Sequence, residues 1–275
     1  MISNIEFFYA GYCTHPEWTV LRGGNFRNAR FPAGFSLIQH SKFGNILFDT
    51  GYSEKFYAET TTFPFNIYAK ITPVYLRPGE SAKKVLQERG IDSGSIKYII
   101  ISHFHADHIC GLRDFDNARF VYSQPGYALL KRKAGFGALK SAFLSGLIPA
   151  DFEGRTLAIT NEGKINISSQ VAPFTEGYDL FGEGSIVLVD LPGHAAGQMG
   201  ALLTDKDNAR YFLIADAAWK SATYQKLRLP SRIADVILHD KKKYLETLGK
   251  INQLHINNPA IKIVLSHCAE SWKDL

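Results

Sequence analysis

The chain has 275 residues, 45% hydrophobic and 21% charged, an ordinary balance for a globular protein with a sizeable core. Lys and Arg exceed Asp and Glu by five (31 against 26), too weak and too dispersed an excess for a nucleic-acid track; Lys131-Arg132-Lys133 and Lys241-Lys242-Lys243 read as solvated helix faces. Three cysteines, Cys13, Cys110 and Cys268, form no even disulfide framework and suit a reducing cytoplasm, while no apolar run reaches the length of about 18 residues that a membrane span needs and Glu6 interrupts the first apolar stretch, where a signal peptide would lie.

In chain order, residues 4–12 alternate loosely and are aromatic, which predicts a first strand. Thr14 to Ala33 is rich in Gly, Arg, Asn and Pro and reads as a loop. Gly34–His40 and Asn45–Asp49 read as two strands of a hairpin turning near Lys42-Phe43-Gly44. Tyr52 to Pro78 carries Phe56, Tyr57, Phe63, Phe65, Tyr68 and Tyr75. Its length and aromatic content predict a mobile flap or pocket wall, with plain core packing as the alternative. Glu80–Arg89 reads as a helix with Ser81 as N-cap and Gly90 just past its end.

The β-branched run into Ser102 predicts a buried strand, and four metal-ligating side chains follow it within six residues: His103, His105, Asp107 and His108. Alternation sends 103, 105 and 107 to one side of an extended backbone. His108 must then point elsewhere, and a bend at Asp107-His108 would aim ligands at two neighbouring points. Imidazoles with a carboxylate suit zinc, and also manganese, iron or cobalt. The alternative is a polar surface loop, but three of the nine histidines lie here at regular spacing directly after a buried strand.

Ala118–Tyr122 then reads as a strand, and Gln124–Lys133 as a helix with Pro125 in its first turn. Phe136–Phe152, with Phe143, Leu144, Leu147 and Ile148, is either a helical cap over the site or a peripheral packed helix. Short strands are expected within 155–190, then Met199–Thr204 and Tyr211–Ala215 around a turn at Asp205–Asn208. A long amphipathic helix over Val236–Leu254 and a last buried strand at Ile261–Leu265 complete the chain.

His103-Phe-His105-Ala-Asp107-His108 resembles the H-x-H-x-D-H signature of the metallo-β-lactamase superfamily. Leu191-Pro-Gly-His194, Leu213-Ile-Ala-Asp216 and Ile263-Val-Leu-Ser-His267 resemble the segments that bring its remaining ligands, so the likeness spans roughly 35 to 268. The resemblance implies a single domain over 1–275 of mixed α/β class, an αββα sandwich. It implies two divalent metal ions, zinc first among the candidates: His103, His105 and His194 on one, Asp107, His108 and His267 on the other, and Asp216 bridging. It also implies that Asp49, in the turn Asp49-Thr50-Gly51, orients a ligating histidine.

The activity implied is that of a hydrolase attacking with hydroxide shared by two metals, Asp107 and Asp216 being the carboxylates at the reacting centre. Within the superfamily the likeness is greatest to the N-acyl homoserine lactonases, through Pro78-Gly79-Glu80-Ser81, Arg89-Gly90-Ile91 and the approach to His103. Two positions depart from them. Trp219 stands where a tyrosine often binds the lactone carbonyl, and Ala106 where phenylalanine often precedes the motif aspartate. Substrate contacts are expected from Trp219, Tyr224 and Phe143, and an apolar acyl groove from Phe63, Phe65, Tyr68, Tyr75, Phe143 and Leu147. The expected ligand is a small molecule, a lactone or ester, with no nucleic acid or membrane partner and the oligomeric state open. Phosphoester, thioester or aryl ester hydrolysis, or metal-dependent binding without turnover, is the alternative.

Overall fold

The computed structural model describes residues 1–272, and within them thirteen strands form a sheet of seven and a sheet of six. The first holds β1 (Ile2–Pro16), β2 (Asn28–His40), β3 (Gly44–Phe48), β4 (Val74–Tyr75), β5 (Ile96–Ile100), β6 (Arg119–Ser123) and β7 (Thr156–Ile159), in the order β4-β1-β2-β3-β5-β6-β7. It is antiparallel from β4 to β3 and parallel from β3 to β7. The second holds β8 (Ile165–Asn166), β9 (Glu176–Asp179), β10 (Ile186–Asp190), β11 (Met199–Thr204), β12 (Arg210–Leu213) and β13 (Ile261–Val264), running β13-β12-β11-β10-β9-β8 with only β12 and β13 parallel. Between strands lie α1 (Glu17–Val20), α2 (Lys55–Glu59), α3 (Phe65–Ile71), α4 (Ala82–Glu88), α5 (Ala106–Ile109), α6 (Gln124–Leu130), α7 (Gly135–Lys140), α8 (Ser168–Val171), α9 (Ser221–Gln225) and α10 (Lys241–Asn257).

Residue alternation along the strands builds the layers. Ile38, Ile46, Phe48 and Ile100 of the first sheet meet Ile186, Leu188, Met199 and Leu213 of the second in one buried cluster. Their neighbours Leu37, Leu47 and Ile99 face the opposite way, into a cluster with Leu86 of α4. Val187, Val189 and Leu202 likewise turn outward to Leu248, Ile251 and Leu254 of α10. Both faces of both sheets are therefore covered, which is why these strands read as unbroken apolar runs. The architecture is the αββα sandwich, and each side chain of this size, once buried, contributes about 1.5–3 kcal/mol.

Several boundaries differ from the sequence expectation. The loop expected over Thr14–Ala33 is strand at both ends: β1 continues to Pro16 and β2 begins at Asn28, so two long arms pair, with α1 and a short turn between them. The helix expected over Val236–Leu254 begins at Lys241, because the Asp240 side chain accepts from the Lys243 N–H and caps it there. Residues 232–237 form a separate 3₁₀ turn with Ile233, Val236 and Ile237 exposed. In Phe136–Phe152 only α7 is α-helical, and Phe143, Leu147 and Phe152 are buried. No helix among the described residues is long and apolar enough to cross a membrane.

Candidate metal centre

The centre forms where strand ends of the two sheets converge. From the first sheet, β5 runs into Ser102 and the turn that becomes α5, with His105 at the N-cap position. The bend expected at Asp107-His108 is this short helix. His194 lies in the β10–β11 loop, Asp216 just after β12, and His267 just after β13.

Gly193 lets the His194 loop close against α10. Its φ is +133°, and a Cβ there would stand 2.1 Å from the Tyr244 nitrogen. The loop is tied down by the N–H groups of His239 and Asp240, which donate to the carbonyls of His194 and Gly193, each at 2.9 Å.

All seven donors expected from the sequence come together. Ligand atoms of His103, His105 and His194 lie within 4.8 Å of one another, as do those of Asp107, His108 and His267, and those of His103, His108 and Asp216. Asp216 stands between the first two groups, 3.3 Å from His194 Nε2, 3.4 Å from His108 Nε2 and 3.1 Å from His267 Nε2. His105 Nδ1 and His194 Nε2 are 3.1 Å apart, and Asp107 Oδ2 is 3.3 Å from His267 Nε2.

Hydrogen bonds behind the donors set their tautomers. Asp49 follows β3 with φ +61°, a conformation aspartate tolerates better than most residues. Its carboxylate accepts from Ser102 N–H (2.8 Å), from Ser102 Oγ–H (2.7 Å) and from His108 Nδ1–H (2.7 Å). With the Ser102 proton spent on Asp49, His103 Nδ1, 3.0 Å away, must donate to Oγ. His267 Nδ1–H donates to the Pro32 carbonyl at 2.7 Å. Each of these three rings is left with its Nε2 lone pair free to ligate.

The donor set fits divalent metal. His103 Nε2, His108 Nε2 and Asp216 Oδ1 are buried and without a hydrogen-bond partner. Leaving such atoms unsatisfied costs about 1–3 kcal/mol each, so a native site of this kind implies a partner of another sort. Burial holds His103 and His194 far below the ordinary imidazole range and brings His105 down to about 4, so these three are neutral near pH 7. Burial pulls His108 and His267 down as well. The carboxylates of Asp49, Asp107 and Asp216 override it at His108, and those of Asp216 and Asp107 at His267, so both are raised. Positive charge is thus favoured at the point where a cation would sit. Cys110 and Cys268 are buried free thiols outside the three donor groups.

A cavity of about 360 Å³ opens onto His105, Asp107, His194, Asp216 and His267, with Val20, Phe31, Tyr68, Ile71, Trp219 and Ile237 among its walls. Trp219 is there, but its indole N–H donates to Asp216 Oδ2 at 3.0 Å and its ring meets His194 edge-on at 5.4 Å. It offers the cavity a face, not a donor. Phe143 is 1% exposed and packs on Phe104; Ala142 reaches the cavity in its place, where the backbone turns with φ +47°. Tyr224 packs against His255 of α10, and its hydroxyl accepts from Gln225.

Of the six residues expected to form the groove, only Tyr68 lines it: Leu147 is core, Phe63 meets Phe136 edge to face, and Tyr75 stacks on Tyr12. Cys13, His15 and Ile233 also line the cavity. Nothing local in the sequence marks them, since pairings far along the chain bring them there.

The model of the family described as Metallo-beta-lactamase superfamily matches residues 35–256. The N-acyl homoserine lactonase AttM of Azorhizobium caulinodans is 25% identical over 256 residues, covering 90% of this chain and 86% of that protein. The N-acyl homoserine lactonase AiiB of Agrobacterium fabrum is 22% identical over 245 residues, covering 89% and 82%. The solved structure of an N-acyl homoserine lactone hydrolase, with the product N-hexanoyl-L-homoserine bound at its catalytic metal center, superposes with a TM-score of 0.74 at 17% identity over 100% of this chain and 97% of that one. AidC, a dizinc quorum-quenching lactonase, superposes with a TM-score of 0.65 at 14% identity, covering 98% and 89%. At these identities the structural likeness shows the shared fold.

Proposed function

This chain belongs to the metallo-β-lactamase superfamily, and we propose that it is a dinuclear metal-dependent hydrolase that opens the lactone ring of N-acyl homoserine lactones. The observation that carries the reading is the convergence of seven donors, six of them buried and His105 half-buried, in two groups sharing Asp216, with five of the seven opening onto a largely apolar cavity. The named lactonases among its relatives support the substrate class. Histidine and carboxylate donors favour zinc. Three free, buried cysteines fit a reducing compartment, the cytoplasm.

His103, His105 and His194 would hold one ion, Asp107, His108 and His267 the other, with Asp216 between them. Ions bound there would acidify water to a nucleophile at neutral pH and polarise the lactone carbonyl. The protein's own groups do the rest. Asp107, at the cavity floor, takes the proton of the attacking water and returns it to the ring oxygen as the acyl C–O bond breaks, leaving a hydroxy acid. Trp219 holds the Asp216 carboxylate in one orientation and closes one wall. Val20, Phe31, Tyr68 and Ile71 exclude water from the acyl chain. Each methylene they cover contributes about 0.8 kcal/mol, close to fourfold in affinity.

The test is hydrolysis of homoserine lactones with acyl chains of about four to ten carbons by ion-loaded protein, followed as hydroxy acid formed. Turnover should need metal, vanish in Asp107→Asn, and rise with chain length. A loaded protein that cleaves aryl esters or phosphodiesters but no lactone would overturn the substrate assignment. Tight metal binding with no turnover of any of them would overturn the enzyme.

A further inference from the structure

His105 and His194 line a second cavity as well as the apolar one, and its lining is more polar. It measures about 490 Å³ and lies between the α6–α7 segment and the stretch from Asp235 to His239. Lys133 and Lys140 stand in its wall. The Lys133 ammonium is half-buried and donates to Ser141 Oγ at 2.6 Å, while that hydroxyl donates on to the Gly137 carbonyl at 3.2 Å. This chain of bonds fixes a positive charge across the turn at the end of α7. Among the described residues neither Lys133 nor Lys140 joins an ion pair, although six other lysines do, namely Lys55, Lys131, Lys164, Lys206, Lys241 and Lys243. The one acid in the cavity wall, Asp235, is already taken by Lys241 at 2.6 Å. The opposite wall is tied to the metal loop through the His239 N–H on the His194 carbonyl.

We propose that this second cavity is a subsite for an anionic substituent of the substrate, so that the enzyme prefers lactones bearing a carboxylate remote from the ring. The inference rests on the hydrolase reading above. A carbonyl at the metal donors would have two exits for the acyl chain, the apolar one on one side of His105 and His194 for an uncharged chain and the cationic one on the other for a chain that ends in a carboxylate. A half-buried ammonium with no protein carboxylate favours an anionic partner, because the pair is screened less there than in bulk water. A neutral substituent of the same size gains nothing from it.

The experiment uses ion-loaded enzyme and two homoserine lactones of equal chain length, one ending in a carboxylate and one in its methyl ester. The ratio of their kcat/KM should favour the acid by about tenfold, a fair expectation for a charge-assisted contact. It should shrink as salt rises toward about 1 M, and fall to about one in a Lys133→Met, Lys140→Met double variant. Equal kcat/KM in the wild type, with lactones still turned over, overturns the subsite and leaves the lactonase reading intact. A ratio unchanged in the double variant also overturns it. So does a double variant that alters only inhibition by the hydroxy acid product, since the lysines would then serve the carboxylate freed by ring opening. If no lactone is turned over, the parent reading has failed, and calorimetry with adipate decides the subsite alone. Tighter binding of adipate than of its monomethyl ester, with the difference lost in the double variant, supports it, and equal binding overturns it.

Discussion

Trp219 shows how a single hydrogen bond ties a cavity-wall side chain to the candidate metal donors. Its indole N–H is held by Asp216 Oδ2 at 3.0 Å, so the side chain positions the carboxylate between the two donor groups. Trp219→Phe keeps most of the wall and removes only the donor. It should weaken metal binding by about tenfold, read by chelator competition, as loss of an outer hydrogen bond to a ligand usually does. Unchanged affinity would show that the bond does not orient Asp216. Asp49 is a second such case, with three donors on one buried carboxylate. Asp49→Asn keeps the shape but removes the charge that fixes the His108 tautomer. Metal content after dialysis should fall, with affinity lower by about 10–100-fold and the fold retained by circular dichroism. The seven donors themselves were legible because each sits at a strand end beside a recognisable segment. Trp219's partner was not, since it depends on the turn at Ala215–Ala217 that carries Asp216 round toward the indole.

Among the elements, strands were the more legible and the segments that wall the site the less so. Runs such as Ile99-Ile100 and Ile186–Val189 announce buried strands because both their faces are covered. The start of α10 is hidden in the sequence because 236 and 237 continue its apolar spacing, while the cap that starts it is Asp240. Phe143 and Tyr224 carry the composition of a pocket wall, yet both are core, and no local pattern distinguishes an aromatic that faces a cavity from one that faces a sheet.

Glycines give a sharper test at this scale. Gly193 has φ +133° and its added methyl would overlap the α10 backbone, so Gly193→Ala should cost at least about 2 kcal/mol and move the His194 loop. Gly137, inside α7, has nothing within 4 Å of its would-be Cβ. Gly137→Ala should be neutral or stabilising by up to about 1 kcal/mol. Urea titration of the pair checks both signs, and equal destabilisation would refute the argument from loop closure.

Taken as a whole, the molecule joins its two sheets differently at different places. One link runs through His40 at the end of β2, whose Nδ1 accepts from the N–H groups of Lys42 and Phe43 while Nε2 meets Glu183 and Ser185 from the loop before β10. Burial pushes His40 below its ordinary value. The unfolded chain therefore takes up this proton first as pH falls, near 6.5. The stability His40 supplies is complete above that pH and declines toward its lower folded value. His40→Asn preserves an acceptor for the two N–H groups and cannot titrate. The stability gap between wild type and this variant should narrow as pH is lowered from about 7.5 to 5; a gap that widens would reverse the assignment.

The metal centre is the other link. His103, His105, Asp107 and His108 follow β5 of the first sheet, while His194, Asp216 and His267 follow β10, β12 and β13 of the second. Ions bound there join the layers, and by linkage they stabilise the folded state by RT ln(1 + [L]/Kd), about 4.1 kcal/mol at a thousandfold excess over Kd. Chelation should lower Tm by several degrees in a chain of this size. The loss should be local in its structural signature. Amide exchange should rise over 103–109 and 193–198, where donor side chains lose their common partner, and stay unchanged over 40–44, where His40 holds the layers without metal. Uniform acceleration across both regions would mean that the ions support the whole fold rather than the edge at which they bind.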